Sequence, residues 1–277
     1  SFYMLNRLLR SSLVLIPILL AGCQSVNSTN AGVVGVERNQ YMFSLLSSEK
    51  LNSMSSERYI KTIGDAQSSG KLDSTSKIAK RVDEISLKLI SQAPTFRPDA
   101  AQWKWEVSVI DEPTINAYCM PGGKIVVYTG IVESLNLTDD EIAVIVGHEI
   151  AHALREHGRE RMSEAYGVAV AQAGAGRLLG LSQDTMELAD SVVSYGMTLP
   201  NSREHENEAD LIGLELAARA GYNPNAGVTV WQKMAKATAG QQPEEFASTH
   251  PSSETRISSL QVVIPKVLPL YEQAKPK

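Results

Sequence analysis

The sequence predicts an α+β fold that is mostly helical, and three observations predict it. Ile78, Val82, Ile85, Leu89 and Ile90 recur at the spacing of one helix face. The stretch from Ile142 to Leu154 is apolar nearly all round, the pattern of a helix buried on every side. Trp105, Val107 and Val109 alternate with Glu106 and Ser108, and Lys124 to Thr129 gives a second extended run, so a small sheet accompanies the helices.

In chain order, Arg7 and Arg10 precede a short apolar run, Leu13 to Leu20, and then Ala21-Gly22-Cys23. That is the layout of a secretory signal, and the apolar run is too short to span a bilayer. Met4 is the natural start of translation. Leu20-Ala21-Gly22-Cys23 resembles a bacterial lipobox, which implies cleavage before Cys23 and lipidation of that residue. Gln24, rather than aspartate, follows it. The expected location is the bacterial cell envelope, as an outer-membrane lipoprotein facing the periplasm if the source is Gram-negative.

Residues 1–23 are then a lipoprotein signal peptide. Residues 24–36, rich in Ser, Asn and Gly, read as a flexible tether, and 37–74 as an N-terminal helical segment. The main domain spans 75–265, and 266–277 is a C-terminal tail. Pro121-Gly122-Gly123 reads as the turn between the two strands. Ala165 to Gly176, uncharged and rich in Ala and Gly, reads as close helix packing in preference to a lid. Gly221 to Pro224 precedes a helix carrying Val228, Val230, Trp231 and Met234, and Gln241-Gln242-Pro243 marks a loop.

The 277 residues include 26 basic and 31 acidic side chains, a net charge of −5. Loss of residues 1–23 removes two arginines and takes the balance to −7. That charge argues against nucleic acid as a partner. With Cys23 lipidated, Cys119 is left alone and no internal disulfide is possible.

The chemistry lies in His148-Glu149-Ile150-Ala151-His152. Residues four apart on a helix lie about 40° apart, so both imidazoles reach one Zn²⁺, with Glu149 beside them as a general base for water. Thr138-Asp139-Asp140-Glu141 is a capping box that starts this helix, and Gly158 is expected to end it. His148, Glu149 and His152 are the only polar side chains between Glu141 and Arg155. Buried together they need a shared partner, which a metal supplies. His157 lies about 140° and 180° around the helix from His152 and His148, so it faces away. A three-histidine site would need glycine at 155 and histidine at 158. The chain has Arg155 and Gly158, so the third ligand comes from elsewhere.

Asn201 to Asp210 is the candidate segment. Asn201 and Ser202 suit the cap of a helix reaching Arg219 or Ala220, with Gly221 as terminator. Glu204, His205, Glu206 and Glu208 are all possible ligands. Glu206 and Asp210, one turn apart, would pair a ligand with an acceptor for the free N–H of a ligating histidine. Spacing alone does not choose among Glu206, His205 and Glu208.

His148 to His152 followed by Ser202-Arg203-Glu204-His205-Glu206-Asn207-Glu208-Ala209-Asp210 resembles the zinc metallopeptidase family of HtpX, the CAAX prenyl endoprotease and the mitochondrial OMA protease. That family's second motif reads S-R-x-x-E-x-x-A-D. Asn116 to Lys124 is similar to its N-A-x-x-x-P-G-G-K segment, and Thr249-His250-Pro251 with Arg256-Ile257 to its T-H-P and R-I segment. The match runs from about residue 75 to 262, and the layout resembles the small bacterial LoiP-type lipoproteins.

The resemblance implies a gluzincin-type zinc peptidase domain with a small β-sheet beside the active-site helix. It implies one Zn²⁺ per chain on His148, His152 and Glu206, with Asp210 behind His148. Glu149 is then catalytic, and His250 and Arg256 lie near the scissile carbonyl; Arg256 is expected to hold His250, which would stabilise the oxyanion. An edge strand beside the zinc helix would take extended substrate, with Asn116 and Ala117 at its rim. The expected activity is zinc-dependent endoproteolysis of proteins or peptides in envelope quality control. One rival is an envelope chaperone or assembly factor with structural zinc, working with envelope assembly machinery; it gives Glu149 no duty. The other is an interaction scaffold without metal, which leaves four ordered motifs unexplained.

Overall fold

Side-chain caps mark where four of the described helices begin. In the computed structural model, which describes residues 23–44, 46–173, 199–239, 245–251 and 254–276, the first elements are β1 (Cys23–Val26), β2 (Gln40–Phe43), α1 (Ser48–Ser68), β3 (Leu72–Asp73) and α2 (Lys77–Ile90). Then come β4 (Glu106–Ile110), β5 (Ala117–Met120), β6 (Lys124–Tyr128), α3 (Thr129–Ser134), α4 (Asp139–Leu154) and α5 (His157–Ala173). The described remainder holds α6 (Arg203–Arg219), α7 (Ala226–Thr238), α8 (Glu245–Thr249) and α9 (Glu254–Ala274). Ser47, Ser76, Thr138 and Ser202 each accept a bond from the amide three residues on, opening α1, α2, α4 and α6. The Thr138–Glu141 capping box forms as expected.

α4 is the centre of the molecule. From Glu141 to Leu154 it is wholly buried, as its apolar circumference requires. It packs along α6, with α2 and α7 beside it and β5 alongside. Gly147 and Gly213 let α4 and α6 touch backbone to backbone: a Cβ on Gly213 would stand 2.6 Å from the His148 amide nitrogen. The four-stranded sheet has the order β3-β4-β6-β5, so β5 is an edge strand.

The sheet corrects one expectation. Pro121-Gly122-Gly123 joins β5 to β6, which are antiparallel, whereas β4 runs parallel to β6. Parallel neighbours need a crossover rather than a tight turn. Residues 111–116 and β5 supply it; Ala-Tyr-Cys-Met alternates too weakly to announce a strand. Gly123, at φ +93°, leaves no room for a side chain beneath the Trp105 ring.

Residues 24–36 are not a free tether. β1 pairs with β2, the Asn30 amide donates to the Phe96 carbonyl at 2.7 Å, and Val34 and Val36 are buried in the main core. The buried Glu215 carboxylate accepts from the Val33 and Val34 amides at 2.7 and 3.2 Å. Gly32 permits this approach, since a Cβ there would lie 2.5 Å from Glu215 Oε1. Composition concealed two core valines. The expected tail beyond 265 is likewise helical: α9 continues through Pro265 and Pro269, and Val267 is fully buried. Packing against the core holds a helix that its prolines alone would disfavour. The segment 37–74 contains one helix, α1, preceded by β2. Residues 165–173 are helical. The signal peptide apart from Cys23, residues 174–176 and the loop at 241–243 lie outside the described residues. Among the described residues no helix is long and apolar enough to cross a membrane.

Candidate metal centre

The Gly147–Gly213 contact fixes the site, because His148 follows one glycine and Glu206 lies two turns before the other. The Nε2 atoms of His148 and His152 are 3.0 Å apart. His148 Nε2 lies 3.3 Å from Glu206 Oε2, and His152 Nε2 lies 3.2 Å from Glu206 Oε1. A tetrahedral ion with bonds of about 2.0–2.1 Å puts its ligand atoms roughly 3.3 Å apart, so this spacing suits zinc. Glu206 Oε2 and Glu149 Oε1 are buried and make no well-aligned hydrogen bond, their charged neighbours being Arg256 Nη1 at 3.0 Å and His250 Nε2 at 3.3 Å. His250 Nδ1 joins the cluster, 3.0 Å from Glu206 Oε1 and 3.3 Å from His148 Nε2. His148, His152, Glu206 and His250 each offer a ligand atom within 4.8 Å of the others.

Each predicted residue can now be placed. Asp210 Oδ1 stands 2.9 Å from His148 Nδ1. Arg256 does not hold His250. Its Nε and Nη2 donate to the two oxygens of Asp210, each at 2.7 Å, and Nη1 lies 3.0 Å from Glu206 Oε2. Bidentate geometry and two acids outcompete one imidazole for a guanidinium. His250 is held by stacking on Phe246, with ring centroids 4.2 Å apart, and its amide donates to the Phe246 carbonyl. The Thr249 carbonyl accepts from both nitrogens of Asn201, which ties the His250 segment to the start of α6. Of the other ligand candidates on α6, His205 lies 3.0 Å from Glu160, and Glu208 faces Arg155 and Arg38.

Electrostatics separate the carboxylates. Burial pushes Glu149 up from an ordinary glutamate, while His250 and His148 pull it part of the way back. Burial also opposes the charged form of Glu206, yet His250 and His148 hold it well below the usual range. Asp210 is held low against burial by Arg256. Burial alone would lower His148, but Glu206 and Asp210 raise it to about 10. Burial pushes His152 down.

A cleft of about 570 Å³ opens onto Glu149, His152 and His250. Asn116 and Ala117, the predicted rim, line it at the start of the edge strand β5. Its other side includes Leu51 and Arg58 of α1, a helix expected from the sequence but not placed at the cleft, because that contact is distant in sequence. Burial holds the Cys119 thiol, also in the lining, well above its usual range.

His157 was misplaced by the sequence reading. α4 stops at Leu154, and Glu156 takes the left-handed conformation at φ +52° in place of Gly158. The chain turns, and His157 is buried with Nδ1 2.8 Å from His152 Nδ1. A glutamate at positive φ is uncommon and has no sequence signature.

The sequence model of peptidase family M48 matches residues 76–264. The mitochondrial metalloendopeptidase OMA1 of Arabidopsis thaliana is 38% identical over 174 residues, covering 62% of this chain and 34% of the relative. That of Schizosaccharomyces pombe is 39% identical over 165 residues, 59% and 48% of the two chains. The metalloprotease LoiP of Escherichia coli is 30% identical over 243 residues, 86% of this chain and 89% of the relative. The chain thus spans about half or less of the OMA1 relatives' length and most of LoiP. With more than half of its length matched in one continuous stretch, the chain belongs to peptidase family M48.

Proposed function

We propose that this chain is a zinc metalloendopeptidase, with one Zn²⁺ held by His148, His152 and Glu206. One observation carries the reading: two buried imidazole Nε2 atoms 3.0 Å apart, each 3.2–3.3 Å from an oxygen of the Glu206 carboxylate, beside a glutamate with a raised pKa. When bound, zinc supplies Lewis-acid polarisation of the scissile carbonyl and acidifies water. Glu149 takes the proton of the attacking water and passes it to the leaving nitrogen. His250 Nε2 donates to the oxygen on which charge develops. Asp210, 2.9 Å from His148 Nδ1, orients that ring, and Arg256 keeps Asp210 ionised. Substrate adds to the free edge of β5, with Asn116 and Ala117 at the rim.

The full chain loaded with zinc is expected to cleave casein, to stop when a chelator strips the metal, and to recover when zinc returns. Glu206→Ala is expected to lose both bound zinc and cleavage. Full zinc stoichiometry in that variant would overturn the ligand set. Zinc binding without cleavage by the wild type would favour an envelope chaperone or assembly factor.

Zinc must displace the proton that His148 holds below about pH 10, whereas His152 is already neutral. At neutral pH, binding is expected to release about one proton per ion, and affinity to fall about tenfold per unit as pH drops. Calorimetry in buffers of different ionisation enthalpy measures the proton count.

The same reading places the protein in the bacterial envelope, as an outer-membrane lipoprotein facing the periplasm in a Gram-negative source. Unfolded or misassembled envelope proteins are its substrates, with envelope assembly machinery as a partner. The signal layout and an exposed Cys23 at the start of β1 support this. Palmitate labelling of the wild type and not of Cys23→Ser is the expected result.

A further inference from the structure

We propose that His157 is a positioning residue for His152, the last link of a hydrogen-bonded chain running back through Glu208 to Arg155 and Arg38. The proposal rests on the metal reading above. His157 Nδ1 lies 2.8 Å from His152 Nδ1, and His157 Nε2 lies 2.8 Å from Glu208 Oε2. Glu208 Oε2 also accepts from Arg155 Nε at 3.0 Å, and Glu208 Oε1 from Arg38 Nε at 2.5 Å. The ring of His157 stacks on His205 with centroids 4.5 Å apart, and His205 Nε2 lies 3.0 Å from Glu160. Arg38 pairs with both oxygens of Glu160, so both walls around His157 are anchored to the same guanidinium.

The hydrogen positions follow from one constraint. If His152 binds metal through Nε2, that nitrogen carries no proton, so its proton is on Nδ1. The partner nitrogen, His157 Nδ1, must then be bare and accept. The proton of His157 is therefore on Nε2, where it donates to Glu208. Glu208 also accepts from Arg155 and Arg38, so it takes the His157 proton as an acceptor. One arrangement satisfies every atom from the ligand to the guanidinium. His148 has a shorter version of the same support, Asp210 backed by Arg256. In the second arm a histidine bridges the added distance between ligand and acid.

Two measurements test this on the full chain. With ¹⁵N-labelled histidine, the five imidazoles are few enough to assign individually. On zinc addition, His152 is expected to shift at Nε2 and keep its proton on Nδ1, with the His157 proton on Nε2. A ligated His152 beside a His157 protonated on Nδ1 would overturn the proposal and leave the metal reading standing. A His152 that zinc does not perturb would overturn the metal reading and this proposal with it. Second, His157→Leu is expected to bind zinc about 10–100-fold more weakly, the usual loss when a ligand's hydrogen-bond partner is removed. His157→Gln, which offers one acceptor and one donor, is expected to restore most of that affinity. Wild-type affinity in His157→Leu would also overturn the proposal. The spectrum of the wild type decides the matter even if that variant does not fold.

Discussion

Glu149→Gln is expected to bind zinc as the wild type does and to lose cleavage by about 10²–10⁴-fold, the usual worth of a positioned general base. The amide has nearly the shape of the carboxylate, so the helix and the three donor atoms keep their places. What it lacks is a basic oxygen for the proton of the attacking water. Glu149 is suited to that task because burial raises its affinity for a proton, while His148 and His250 keep the shift from running further. Its Oε1 lies 3.3 Å from His250 Nε2. Casein cleavage and zinc content, measured on the same preparations, decide the point. Equal cleavage by wild type and variant would point to a contaminating protease and remove the support for this mechanism.

Gly213→Ala is expected to destabilise the fold and weaken zinc binding together. The added methyl would stand 2.6 Å from the His148 amide nitrogen and 2.8 Å from its Cα, both backbone atoms of a buried helix. Neither can rotate aside, so α4 and α6 must move apart. Overpacking costs about 1–3 kcal/mol and more where backbone opposes backbone; each kcal/mol lowers the melting temperature of a chain this size by roughly 2–4 °C. Because His148 and Glu206 lie on opposite sides of that contact, separation also opens the donor triangle. Gly64→Ala is the control. A Cβ there meets nothing within 4 Å, and alanine in an exposed helix is expected to stabilise by up to about 1 kcal/mol. Thermal melts with and without zinc measure both. A Gly213→Ala protein with wild-type melting and zinc affinity would show that the close helix contact does not set the site.

The two helix faces that carry the candidate ligands were legible because they are written in local spacing, whereas the choice of Glu206 over His205 and Glu208 rested on the family resemblance. His148 and His152 share a helix face, and Glu206 and Asp210 repeat that spacing on a second capped helix. The Thr138 and Ser202 caps were visible for the same reason: they act over three residues. What was missed depends on contacts distant in sequence. Arg256 belongs to Asp210 and Glu206, and only the approach of α9 to α6 reveals the choice. His157 was sent outward by assuming an unbroken helix, which a single left-handed glutamate interrupts. The pairing of β5 with β6 was hidden because four residues carry too little alternation to signal a strand.

The bond between Arg155 and the residues ahead of α1 separates two boundaries often treated as one. The family match begins at residue 76. Yet Arg155, fully buried at the end of α4, donates to Asn27 Oδ1 and to the carbonyl of Arg38, while Gln40 donates to the Arg155 carbonyl. A fragment excised at the family boundary would leave that guanidinium and Glu208 inside the protein without these partners. The stretch that the family pattern matches is therefore shorter than the stretch whose bonds satisfy these buried groups. Any transplant of this centre into another protein has to carry a strand pair that the family pattern does not include.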